Sequence, residues 1–154
     1  VNKKIAFAVF SALLFFIGCP NIRNLKQVSD ISTVNCAELQ YEESGVMVFR
    51  DQKSWENFWQ QYCQTVNAEG VKLTAPKVDF STKMLIGVFA GAKPTGGYSI
   101  SIQRIMESSK SILVEYKETE PSPDAMVTMA FTYPCHIVSV TRSEKNVEFK
   151  AVKK

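Results

Sequence analysis

Met84 to Phe89 is an uninterrupted apolar run, Met-Leu-Ile-Gly-Val-Phe. This is the pattern of a strand buried on both faces. A second strand follows, in which Tyr98, Ile100 and Ile102 alternate with Ser99, Ser101 and Gln103, the period of a strand with one wet face. Between them lies Lys93-Pro94-Thr95-Gly96-Gly97. Pro94 fixes one φ angle, while Gly96 and Gly97 permit positive φ without steric cost. The loop admits two readings. One is a hairpin connection; the other is a recognition loop whose glycines leave backbone N–H groups uncovered for a partner.

The remaining strands are read the same way. Val46–Phe49 is a short apolar run. Ile112, Val114 and Tyr116 alternate with Leu113, Glu115 and Lys117, the pattern of a partly wet face, and Val147, Phe149 and Ala151 alternate with Glu148 and Lys150 in a final edge strand. Pro134 precedes a strand through Ile137, Val138 and Val140. Pro121 and Pro123 end the strand before them, and Val127–Tyr133 is ambiguous between strand and extended chain. One helix is clear: Trp55, Phe58, Trp59 and Tyr62 fall at i, i+3, i+4 and i+7, behind Asp51 or Ser54 as cap. The stripe is expected to lock the helix onto a sheet; an exposed carbohydrate-binding platform is the alternative. The sum is an α+β chain with about six strands, mainly antiparallel because the connections are too short for helical crossovers, forming a sandwich or curved sheet with one amphipathic helix near its start.

The first residues have a different character. Lys3 and Lys4 precede a charge-free apolar run, Ile5–Ile17, and then Gly18-Cys19. A basic start, a short apolar stretch and a small residue at the cut describe a secretory signal, and the run is short of the roughly 20 residues of a membrane span. The ending resembles a bacterial lipobox, which implies that residues 1–18 are removed and Cys19 is acylated. Each buried CH₂ contributes about 0.8 kcal/mol, so several acyl chains on one cysteine hold a domain at a membrane firmly. The expected organisation is a leader (1–18), a lipidated tether (19–40) and a β-rich domain (41–154), placed at a bacterial cell envelope with the membrane itself as one partner.

Charge and motifs narrow the function. The whole chain carries +3; without Lys3 and Lys4, 16 basic residues face 15 acidic ones, leaving +1. No basic stripe remains to meet nucleic acid. With Cys19 acylated, Cys36, Cys63 and Cys135 form an odd set, so one thiol stays free or pairs with another chain. Cys36–Cys63 is the preferred bridge, tying the tether to the helix. No spacing matches a redox or zinc motif. His136, the only histidine, adjoins Cys135, but successive strand side chains point to opposite faces, which disfavours a catalytic dyad. Nucleophile elbow, Walker and H-E-x-x-H motifs are absent, so no enzyme and no cofactor are expected.

The segments V78-D-F-S81, L85-I-G-V-F89, G91-A-K-P-T-G-G-Y-S-I100, E118-T-E-P-S-P123 and T132-Y-P-C-H-I-V138, with S54-W-x-x-F-W59 ahead of them, resemble the C-terminal domain of PrcB-type protease-complex subunits across roughly Val46–Ala151. The resemblance implies a non-enzymatic secreted lipoprotein that associates with a partner such as an exported protease or another envelope protein. Pro94, Thr95, Gly96, Gly97 and Tyr98, with Tyr133, Pro134 and His136, are its signature positions. The candidate partner-binding set is therefore Lys93, Pro94, Thr95, Gly96, Gly97, Tyr98, Tyr133 and His136. A protease-inhibitor loop and a small-ligand or carbohydrate site on Trp55, Trp59 and Tyr98 are the competing readings.

Overall fold

The computed structural model describes residues 25–152. The leader and Cys19 lie outside them. The elements in order are β1 (Lys26–Gln27), β2 (Ile31–Val34), β3 (Ser44–Phe49), α1 (Gln52–Tyr62), β4 (Lys83–Ala90), β5 (Ser99–Glu107), β6 (Ser111–Thr119), β7 (Cys135–Thr141) and β8 (Asn146–Ala151). They form two four-stranded sheets, ordered β2-β7-β4-β3 and β1-β5-β6-β8.

The doubly apolar β4 explains the layering. Its residues from Met84 on are buried, because alternate side chains meet different layers. Met84 and Ile86, with Val138 and Val140 of β7, pack on Ile105, Ile112 and Val114 of the second sheet. Leu85 and Phe89, with Ile137, pack instead on Trp55, Phe58 and Trp59 of the helix. The result is helix, sheet, sheet. Asp51 caps α1, its carboxylate accepting the Ser54 N–H at 2.8 Å. Trp55 is fully buried, and its indole N–H donates to the Pro76 carbonyl at 3.0 Å; that of Trp59 donates to Leu73 at 2.8 Å. Their burial removes the carbohydrate platform, and truncating either to Ala would cost about 3–5 kcal/mol.

Of three expectations, two change and one holds with an exception. First, the strands among the described residues number eight rather than about six. The two additional ones lie within the stretch read as tether: β1 pairs with β5 at Lys26↔Glu107, and β2 pairs with β7 from Ile31↔Val140 to Val34↔Ile137. They are short, mostly exposed edge strands, Lys26-Gln27 and Ile31-Ser32-Thr33-Val34, and neither carries an apolar alternation. Second, the expected mainly antiparallel pairing holds, with one exception: β6 and β8 run parallel from Ser111↔Asn146 to Tyr116↔Ala151. The chain reaches β8 by crossing from one sheet to the other over residues 142–145, where Arg50 holds the carbonyls of Ser143 and Lys145, each at 2.9 Å. Third, the disulfide is Cys36–Cys135, with Cα atoms 6.3 Å apart, and Cys63 is the buried free thiol. Cys63 is instead joined to the pre-β3 segment through backbone pairing with Leu39.

A bulge in β5 sets the second sheet. Ile102 opposes Tyr116, but Arg104 opposes Glu115, so Gln103 is the extra residue. Ile100 and Ile105 both point inward at a spacing that strict alternation forbids. Arg104 is thereby turned outward onto Glu115.

Candidate functional site

The end of the sandwich where β4, β6 and β7 meet their loops carries most of the expected site. The segment between β4 and β5 does not form a tight hairpin, because these strands lie in different sheets. It runs beside the long β6–β7 connection, residues 120–134. Lys93 and Thr132 exchange backbone hydrogen bonds at 2.8 and 2.9 Å, the Thr132 hydroxyl donates to the Thr95 carbonyl at 2.8 Å, and the Gly96 N–H donates to the Thr128 carbonyl at 2.9 Å. The Gly96 N–H is therefore occupied from within the chain rather than left open.

The glycines are required by this contact. A Cβ on Gly96 would collide with the Thr128 hydroxyl. Gly97 has φ +85°, and a Cβ there would lie 2.8 Å from Pro121 and 3.0 Å from Val127. The Pro-Thr-Gly-Gly loop is thus a seat for residues 121–132. The seated loop carries further local bonding, with Ala125 N–H donating to Ser122 at 2.9 Å. Lys93 contributes charge at its root: its ammonium pairs with Glu118 at 2.6 Å and lies 5.4 Å from the centre of the Tyr98 ring.

What the seat presents to solvent is apolar. Met126, Met129 and Phe131 are 101%, 87% and 70% exposed, the largest exposures among the described large hydrophobic residues. Scattered exposed apolar residues need no explanation, but three within residues 126–131 on one braced loop form a candidate interaction feature. Sequence periodicity missed them, since a loop has none. The available signal was composition: three bulky apolar residues just after two prolines, in a stretch with no strand alternation.

The other expected residues divide. Tyr133 continues from the Lys93–Thr132 pairing and lines, with Asn35, Cys135 and His136, a cavity of about 350 Å³. His136 is half-buried and faces the second sheet, where its Nδ1 accepts the Ile102 N–H at 3.0 Å. Burial lowers its pKa below the ordinary 6.5. With Cys135 in a disulfide, the adjacent pair holds no thiol nucleophile. Among the described residues, no group of three or more His, Cys, Asp or Glu side chains is placed to hold a metal ion.

Neither a curated protein nor a solved structure matches the chain. Residues 84–141 match the family described as PrcB C-terminal, a segment that runs from the start of β4 to the end of β7 and contains both contacting loops. This match supports a PrcB C-terminal-like domain over residues 84–141.

Proposed function

We propose that this chain is a non-catalytic, envelope-tethered domain that binds another protein through the loop pair formed by residues 93–98 and 121–133. The observation that carries the reading is the exposure of Met126, Met129 and Phe131 on a loop held by the glycine seat. Holding a loop in one conformation lowers the ordering cost of binding, and burying each such side chain is worth about 1.5–3 kcal/mol. The match to the PrcB C-terminal family hints at association with a protease complex, and an exported protease or its complex is the partner class we propose. Acylation of Cys19 is the proposed tether. The engaged Cys135 sulfur and His136 Nδ1 support a role without chemistry of its own.

The test is affinity capture from envelope extracts with the wild-type domain and with Met126→Ser/Met129→Ser/Phe131→Ser. Loss of a specific captured protein is expected; equal capture by both removes the loop from the account. A protease inhibitor is the second reading, favoured by the same braced loop. Stoichiometric titration against purified proteases separates it from simple association.

A further inference from the structure

Two further features give the loop end a direction and a charge. The direction comes from β1. It pairs Lys26 with Glu107 and Gln27 with Met106, so the chain enters the second sheet beside the β5–β6 turn. The loop pair lies at the opposite end of β5, next to Ser99, which opposes Thr119. Nine residues of strand separate the two ends, about 25 Å. Six residue steps from Cys19 to Leu25 reach no more than about 20 Å. An acyl group on Cys19 would therefore keep the attachment end within about 20 Å of the bilayer, and in the upright orientation the apolar loop is at the far end.

The charge comes from the loop itself. Residues 118–133 contain Glu118, Glu120 and Asp124 and no lysine or arginine. Glu118 is matched by Lys93, whereas Glu120 and Asp124 are exposed and make no ion pair among the described residues. An anionic lipid surface would repel such a rim, and insertion of the loop into the tethering bilayer would require the domain to turn over. The same features fit a protein with a concave apolar cleft bordered by lysine or arginine.

We infer that the 121–133 loop is an apolar plug with an acidic rim, aimed away from the tethering membrane, and that its partner is a protein offering an apolar cleft with a basic border. This rests on the tethered, partner-binding role proposed above. Met126, Met129 and Phe131 enter the cleft; Glu120 and Asp124 meet its border and speed the encounter.

The experiment uses the full chain in intact cells with a photo-crosslinking residue. Phe131→p-benzoylphenylalanine places the probe on the plug, and Lys110→p-benzoylphenylalanine places it at the attachment end; Met126 is a second plug position if the first variant does not accumulate. The expected result is a protein adduct of discrete mass from the plug probe and none from position 110. Adding Glu120→Lys and Asp124→Lys, both exposed, lowers the adduct yield about tenfold. Purified protein made without the leader and without Cys19, so that it carries no acyl group, is expected not to sediment with phosphatidylglycerol vesicles. Protein adducts from position 110 alone would overturn the inference while leaving a partner-binding role intact. So would plug adducts indifferent to charge reversal, or adducts to lipid with vesicle binding. Absence of any protein adduct at all positions would remove the partner-binding role as well.

Discussion

His136 on β7 and Ile102 on β5 join the two sheets through one hydrogen bond, the ring Nδ1 accepting the backbone N–H at 3.0 Å. Ile102 stands immediately before the β5 bulge. A protonated imidazole has no free lone pair at Nδ1, so this bond exists only with neutral histidine. Burial already disfavours the charged form. The folded pKa thus lies below the ordinary 6.5, and the unfolded chain binds the proton first. Stability is full above that pH and declines as pH falls from it towards the folded value. Thermal unfolding across pH 7.5 to 5, in about half-unit steps, should show this decline in the wild type and a flatter line in His136→Gln. His136→Ala, which leaves the Ile102 N–H unpaired, should cost about 1–3 kcal/mol at pH 7.5.

Gly97 and Gly70 separate two causes of glycine dependence. Both have positive φ, +85° and +77°, but a Cβ on Gly70 meets nothing within 4 Å, whereas one on Gly97 meets Pro121 and Val127. Gly70→Ala should cost about 1 kcal/mol from backbone strain alone. Gly97→Ala should cost more and should expose residues 121–132 to limited proteolysis. Equal urea midpoints and equal cleavage for the two variants would refute the seat.

The cysteines give a prediction for mass spectrometry. A non-reduced digest should contain the Cys36–Cys135 peptide pair, and Cys63 should alkylate only after denaturation, being fully buried. The bridge spans a sequence separation of 99 residues. Closing a loop of about 100 residues is worth up to about 4.7 kcal/mol in the chain-entropy model, so Cys135→Ala should lower the urea midpoint far more than Cys63→Ala.

Glu115 sits between two cations on neighbouring strands. Arg104 Nη2 donates to it at 2.6 Å and Lys150 Nζ at 3.2 Å, each from the residue directly opposite in the pairing. The Arg104 hydrogen bond, then that of Lys150, holds its pKa below the ordinary 4.5. Its contribution is present above pH 4.5 and is lost as pH falls through the lower folded value. Glu115→Gln should therefore be less stable than wild type at pH 7 and should show a shallower loss of stability below pH 4.5, by equilibrium denaturation at fixed ionic strength.

The core was legible in the sequence where burial imposes a period. The all-apolar β4 announced layers on both of its faces, and the Trp55–Phe58–Trp59 spacing announced the face of α1 that meets Leu85 and Phe89. The β5 alternation was legible only up to Ile102, because the bulge at Gln103 changes which residues face inward. β1 and β2 were illegible: exposed edge strands are held by main-chain bonds, which leave no mark in side-chain pattern. At the candidate site, the glycines were visible as backbone requirements. What demands them was not, since Pro121, Val127 and Thr128 reach Gly96 and Gly97 only through the tertiary fold.

Cys63 stands between Cys36 and Cys135 in chain order. If the chain enters an oxidising compartment from its N-terminus, Cys36 and Cys63 arrive there while Cys135 is still to come. The earliest bridge open to this protein is then one that the finished fold does not contain. Burial of Cys63 against the helix has to compete with that oxidation, and a thiol–disulfide isomerase would rescue chains in which oxidation wins. Trapping thiols during export should find a transient Cys36–Cys63 species that Cys63→Ala removes.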